Sequence, residues 1–311
     1  MRFLVTGGCG FIGSHLCEML VLQGHQTLVL DDLSSGYKSQ LAQGADFIEG
    51  SVLDEFCVAQ AMQNIDGCFH LAAVSSSDNS SDDWLAVHKI NQQGAINVFC
   101  AARKTELRGP VPVVYASSAA VYGDNACSPL SESAYPSPVS AYGADKLGCE
   151  LHARVAWLVH KVPTIGLRFF NVYGPRQDPN SPYTQVISLF IDHIINGKAL
   201  HYAGDAKQTR DFVYVADVVR FLISSMLGFR DQAGIFNVCT GRSISIVELA
   251  KTLAVLAGKV PQITYNNANG GSIVSSLGDP AKAIKKLQLT CETTLAQGLK
   301  ETINAELEKC R

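Results

Sequence analysis

Apolar positions along this chain gather alternately into short runs and helix-spaced stripes. Residues 2 to 6 form an apolar run that ends in a glycine-rich turn, and residues 11 to 23 then carry apolar side chains at helical spacing. The run at 27 to 30 is closed by Asp31 and Asp32, and Phe47 and Ile48 mark a third. A helix is expected over about 53 to 62, then a strand over 68 to 71. A long amphipathic helix covers about 84 to 103, and a strand covers 111 to 116. After a serine-rich segment, a helix runs from near Tyr142 to His160, with a strand at 164 to 167 behind it. Short apolar strands alternating with helices predict an α/β protein built on a doubly wound parallel sheet of Rossmann type.

Beyond Phe170 the pattern changes. Residues 171 to 183 are rich in Pro, Gly and Asn and are expected to be loop. Helices are expected over 186 to 196, 215 to 227 and 246 to 257, with short strands between them and helical segments at the C-terminus. This divides the chain into a nucleotide-binding domain over 1–172, joined by a crossing segment near 205–232, and a smaller α/β cap over 173–311.

Composition narrows the class. The 311 residues are 47% hydrophobic with a net charge of -3, which suits a compact globular enzyme. No basic excess points to nucleic acid or to an anionic membrane. No run of 18 apolar residues and no secretory leader is read in the sequence, so a soluble cytoplasmic protein is expected. Ten cysteines without a CxxC spacing read as reduced thiols. No His, Cys, Asp or Glu spacing suggests a metal.

Candidate chemistry begins at Gly7-x-x-Gly10-x-x-Gly13, directly after a strand and opening a helix. Glycines there let the backbone approach a pyrophosphate, and the helix N-terminus presents N–H groups to it. Asp31 lies 18 residues beyond Gly13, where a carboxylate can accept from adenosine ribose hydroxyls and repel a 2′-phosphate. Backed by Asp32, it favours NAD over NADP. Tyr142 and Lys146 share one helix face at a spacing of four. An ammonium beside a phenol favours the phenolate, which can take a proton from a sugar hydroxyl. Ser118 can hydrogen-bond the same substrate oxygen. Asn91, a polar amide in an apolar helix, is placed to bond backbone near this centre, while His70 reads as structural.

The motifs TGGCGFIG at 6–13, HLAA at 70–73, SSAAVYG at 117–123, YGADK at 142–146, RFFNVYGPRQ at 168–177 and GDAKQTRDFVYVADV at 204–218 occur in this order. Together they resemble the nucleotide-sugar epimerase/dehydratase family of extended short-chain dehydrogenases, nearest to the UDP-glucose and UDP-N-acetylglucosamine 4-epimerases. The resemblance covers nearly the whole chain. It implies that Gly7, Gly10, Phe11, Ile12 and Gly13 line the NAD pyrophosphate, with Asp31, Asp32, Ser51, Val52, Leu71, Ala72 and Ala73 along the rest of the cofactor. Lys146 would hold the nicotinamide ribose, Tyr142 would be the base and Ser118 its partner. Asn171, Arg176 and Arg210 would meet the substrate diphosphate, with Leu200 and Tyr202 beside the nucleotide base. The implied activity is 4-epimerisation of a UDP-hexose or UDP-N-acetylhexosamine through a 4-keto sugar. The implied assembly is a homodimer packed through the helices near Trp84 and Tyr142. The alternative is another nucleotide-sugar epimerase or a 4-keto reductase acting on a CDP-, GDP- or dTDP-sugar.

Departures from the family pattern bear on this. Ala119 and Ala120 stand where the dehydratases carry an acidic pair, and the Glu expected of a decarboxylase is absent. Ser51 replaces an adenine-binding Asp, and Asp145 replaces a common Ser. Asn269-Gly270-Gly271-Ser272 stands where an Arg-Gly-Asp contact is usual, a change expected to cost about 1.5–3 kcal/mol of charge-assisted binding. Ser276 aligns with a position linked to selectivity at sugar C2, where a small residue leaves room for an N-acetyl group.

Overall fold

The computed structural model describes residues 1–74, 84–105, 108–125, 128–178, 186–203, 208–259, 263–266 and 275–309, with backbone alone at 200–203, 263–266 and 309. Two compact units emerge. The first comprises 1–123, 136–168 and 219–236, and the second 124–135, 169–218 and 237–311. Segment 124–135 goes with the second unit and segment 219–236 with the first.

The first unit opens with β1 (Arg2–Thr6), α1 (Phe11–Leu22), β2 (Gln26–Asp31), β3 (Asp46–Glu49), α2 (Glu55–Ala61) and β4 (Gly67–His70). It continues through α3 (Trp84–His88), α4 (Gly94–Ala101), β5 (Val113–Ser118), α5 (Ala141–His160) and β6 (Thr164–Phe169). These strands join a seven-stranded sheet in which β3, β2, β1, β4, β5 and β6 are neighbours in that order. A later strand, Ala233–Val238, completes the edge beside β6. Pairing is parallel from β3 through β5. This is a Rossmann-type sheet, and its order reverses between β1 and β4, where such folds bind ligands. β6 is buried along all six residues, Thr164 and Arg168 included. Helix α1 buries Gly13, Leu16, Cys17 and Leu20, the helix-spaced stripe read in the sequence. Leu4, Leu28, Leu30, Val58, Val98, Tyr115 and Ala153 meet in one core beneath α2, α4 and α5.

The long helix expected over 84 to 103 is interrupted. Lys89–Gln93 forms a π-turn between α3 and α4. The wider turn alters the i→i−4 hydrogen-bond ladder, and the Asn91 carbonyl accepts the Cys149 thiol from α5 at 3.2 Å.

The second unit holds β7 (Asn171–Tyr173), α6 (Val186–Ile195), β8 (Leu200–Ala203), β9 (Thr209–Arg210) and β10 (Phe212–Tyr214), then α7 (Val215–Gly228), which leads back into the first unit. With Ala233–Val238 counted as β11, it continues through β12 (Ile244–Ser245), α8 (Ile246–Leu256), β13 (Ile263–Asn266), β14 (Ser275–Ser276), α9 (Ala281–Leu287) and α10 (Leu295–Lys309). The start of the expected 171–183 loop is a strand instead, since β7 pairs in parallel with β10. Two three-residue strands are too short to show a period of two in sequence. Helix α8 begins with a full capping box between Ser245 and Glu248.

Candidate active site

The glycine turn sits at the β1/β4 reversal. Gly7 has φ +74°, and a Cβ there would fall 2.7 Å from the Ala72 nitrogen, just past β4. A Cβ on Gly13 would run into the Gly7 carbonyl oxygen. Both positions therefore demand glycine, one for its dihedral and one for the close approach of α1 to the turn. Gly10 caps α1 with no side-chain hydrogen bond, and the first turn holds no acidic residue. The N–H groups of Phe11 and Ile12 thus lie at an uncapped helix end suited to an anion. This cradle fits a dinucleotide pyrophosphate.

Asp31 ends β2, nearly buried at 8% exposure. Its Oδ2 accepts from the Cys9 N–H at 2.9 Å and its Oδ1 from the Leu33 N–H at 2.9 Å, so one carboxylate ties the glycine turn to the strand end. Burial raises its pKa above the ordinary value, against the pull of those two N–H groups. Each oxygen retains a lone pair for a ribose hydroxyl. Asp32 is exposed and accepts from the Ser34 N–H at 3.1 Å. The Ser51 hydroxyl accepts from the Leu53 N–H at 3.3 Å, a local turn where a family Asp would project its carboxylate. Beside it, Asn97 donates to the Val52 and Leu53 carbonyls at 3.0 and 3.3 Å and pins that backbone. The sequence reading missed Asn97, whose only signal is an amide on a buried helix face.

Leu71, Ala72 and Ala73 follow β4, with the Leu71 N–H donating to the Thr6 carbonyl at 3.0 Å. His70 is fully enclosed, its Nδ1 2.8 Å from the Thr6 hydroxyl. Burial and then the nearby Lys146 charge lower its pKa to about 3. In the unfolded chain the same ring titrates near 6.5. Between about 6.5 and 3 the unfolded state therefore binds the extra proton, and stability falls as pH falls. Within that window each pH unit removes up to about 1.4 kcal/mol. A His70→Gln variant should lack this slope, so its stability difference from wild type is expected to shrink on acidification in denaturant melts. A constant difference from pH 7 to 4 would contradict the neutral, buried histidine.

Asn91 is fully buried in the π-turn. It donates to the Val74 carbonyl at 3.0 Å and accepts from the Val74 N–H at 2.8 Å, holding the backbone that continues from Ala73.

The proton-transfer candidates meet where β5 ends and α5 begins. Ser118 closes β5, and its hydroxyl accepts from the Ala120 N–H at 3.1 Å. Ser140 caps α5 by accepting from the Gly143 N–H at 3.1 Å, which starts the helix one residue before Tyr142. A Cβ on Gly143 would lie 2.6 Å from the Ala120 carbonyl oxygen, so this glycine lets α5 close on the Ser118 segment. Lys146 is 3% exposed; its Nζ donates to the Ala116 carbonyl at 3.0 Å and lies 5.7 Å from the centre of the Tyr142 ring. An ammonium has three donors, and one is committed to β5. Asp145 turns away from Lys146, its Oδ1 accepting from His88 Nδ1 on α3 at 2.7 Å.

In the second unit, Asn171 on β7 donates through its amide to the Asp211 carbonyl at 3.1 Å. Arg176 is partly buried with φ +68°. Arg210 on β9 donates to the Thr209 carbonyl at 2.9 Å and to Gln208 Oε1 at 3.3 Å, and β9 pairs Arg210 with Ser276 of β14. Ser276 is buried. Asp211 went unnoticed in the sequence: its carboxylate is fully buried and accepts from the Thr240 N–H and hydroxyl and the Gly241 and Gly278 N–H groups. These bonds fix the segment between Arg210 and β10. Leu200 and Tyr202 lie on β8, which pairs with β13. Asn269 lies outside the described residues.

Among the described residues no cluster could hold a metal ion, and no helix is long and apolar enough to cross a membrane.

The model of the NAD dependent epimerase/dehydratase family matches residues 3–239. UDP-glucose 4-epimerase of Mycolicibacterium smegmatis is 33% identical over 310 residues, covering 97% of each chain. The structure is similar to UDP-glucose 4-epimerase of Thermotoga maritima solved with UDP-glucose, at a TM-score of 0.94 and 32% identity over the whole of both chains. It is similar also to UDP-N-acetylglucosamine 4-epimerase of Methanobrevibacter ruminantium in complex with UDP-N-acetylmuramic acid, at 0.92 and 32%, covering 99% of this chain and 98% of that one. With the glycine cradle, the Ser118, Tyr142 and Lys146 group and these full-length likenesses together, the chain belongs to the NAD-dependent epimerase/dehydratase family, whose chemistry is NAD-dependent conversion of nucleotide sugars.

Proposed function

We propose that this protein is a nucleotide-sugar 4-epimerase acting on a UDP-hexose or UDP-N-acetylhexosamine with firmly held NAD. The observation that supports the reading is Lys146, tied to β5 beside the Tyr142 ring, with the segment after Ser118 close against α5 at Gly143. Tyr142 takes the proton of the sugar C4 hydroxyl, and Ser118 hydrogen-bonds that same oxygen. Lys146 holds a ribose hydroxyl and supplies positive charge beside the phenol. When bound, NAD would supply the acceptor for the C4 hydride and the source of the hydride that returns to C4, so no outside reductant would be consumed. The 4-keto sugar then presents its other face, and Tyr142 returns the proton. Ala119 and Ala120 offer neither acid nor base for eliminating water, which favours epimerisation over dehydration. Asn171, Arg176 and Arg210 are assigned to the diphosphate, Leu200 and Tyr202 to the base, and Ser276 to the space beside sugar C2.

A UDP-sugar deuterated at C4 tests this reading. Label retained at C4 of the epimer is the expected result. Washout of label to solvent would contradict it by showing that the C4 hydrogen leaves as a proton, and a requirement for added NADPH would contradict it and favour a reductase.

The same reading includes a homodimer. Trp84 and Leu85 on α3 and Leu151, Val155, Leu158 and Val159 on α5 are each more than half exposed, an apolar strip across the two helices. Sedimentation equilibrium should give twice the 33.4 kDa of the chain. The double variant Val155→Glu/Leu158→Glu should sediment as a monomer. A wild-type monomer at micromolar concentration would rule the dimer out.

A further inference from the structure

Beneath the proton-transfer group lies a buried charge network that the mechanism above does not use. Glu150 stands one turn beyond Lys146 and two turns beyond Tyr142 on the same face of α5. Arg168, near the end of β6, grips it with two hydrogen bonds, Nε to Oε1 at 2.8 Å and Nη2 to Oε2 at 2.7 Å. Both side chains are only 4% exposed. Ser117 donates its hydroxyl to Glu150 Oε1 at 2.5 Å. The Arg168 guanidinium also lies 4.7 Å from the centre of the Tyr122 ring.

The partners in this network bracket one segment. Ser117 and Tyr122 stand at its two ends, and Ser118 to Val121 lie between them. One turn up the helix, Lys146 donates to Ala116, the residue before Ser117. A single ion pair therefore grips both ends of the Ser118 segment and holds it to the helix that carries Tyr142. A buried pair of this kind is a poor device for stability alone, because apolar residues of similar volume often do as well. What it supplies is a fixed geometry, since bidentate guanidinium–carboxylate bonds tolerate little displacement.

We propose that Glu150, Arg168 and Ser117 are positioning residues for proton transfer, setting the register of Ser118 against Tyr142 and Lys146. This rests on the catalytic reading of those three residues.

The test compares holoenzyme variants for kcat, KM, retained NAD and thermal midpoint. Ser117→Ala removes one hydroxyl and leaves the ion pair intact; it should lower kcat about tenfold while KM stays within about twofold, as expected of a small misplacement. Ser117→Thr keeps the hydroxyl and should restore kcat. The double variant Glu150→Met/Arg168→Met keeps a filled core and should fold and retain NAD, yet lose about 100-fold in kcat. Wild-type kcat in both Ser117→Ala and the double variant would overturn the proposal. So would a kcat loss that only tracks loss of NAD or of thermal midpoint. Tyr142→Phe serves as the control. If it turns over normally, or if wild type converts no nucleotide sugar, the catalytic reading falls and the positioning role with it. If it is inactive while the double variant is fully active, the positioning role alone falls.

Discussion

Tyr142→Phe is expected to lower kcat by about two to four orders of magnitude, the usual worth of a positioned general base. Phenylalanine fills the same space on the first turn of α5 and removes only the hydroxyl. The cap made by Ser140, the close approach at Gly143 and the Lys146 bond to Ala116 do not depend on that oxygen. NAD retention and the thermal midpoint should therefore match wild type, and KM should change little. A fall in kcat with NAD still bound places the loss in the chemical step. A kcat within a few-fold of wild type would mean that another group takes the proton.

Replacing Arg168 alone with Met should destabilise the first unit strongly. It leaves the Glu150 carboxylate buried and, among the described residues, hydrogen-bonded only by the Ser117 hydroxyl. Breaking a buried ion pair from one side costs about 3–5 kcal/mol. In a chain of this size that lowers the thermal midpoint by on the order of 10 °C. Adding Glu150→Met should recover most of the loss, because no unpaired charge then remains. Calorimetry on the two variants and the wild type reads this directly. Equal stability of the single and double variants would show that Glu150 finds another partner or is protonated.

The sheet and the glycine cradle were legible because their signals are local. A glycine turn between an apolar strand and a helix needs no distant partner to be recognised, and Gly7 and Gly13 prove irreplaceable for reasons of backbone alone. The Tyr142 and Lys146 pair was equally local, four residues apart on one helix. The rest depends on pairings that sequence spacing does not reveal. Arg168 lies just past the strand read at 164 to 167, and nothing nearby in the chain announces that its partner is Glu150 on α5. The π-turn at Lys89–Gln93 is invisible for another reason: its apolar residues continue a helical stripe, and only the hydrogen-bond ladder changes. Strand β7 hid in a Pro- and Gly-rich stretch because three residues carry no periodicity. Asp211 looked like one more charge beside Arg210, until the fold brought four donors onto its carboxylate.

A closed redox cycle on a UDP-sugar needs no added cofactor. Purified protein is incubated with UDP-N-acetylglucosamine, and in a parallel tube with UDP-glucose, while proton NMR follows the configuration at C4. Formation of UDP-N-acetylgalactosamine is the predicted result, and it would demonstrate epimerisation, retained NAD and a pocket that admits the N-acetyl group. No conversion of either sugar by protein shown to carry NAD would contradict the assignment to UDP-hexoses and turn the search to other nucleotide sugars.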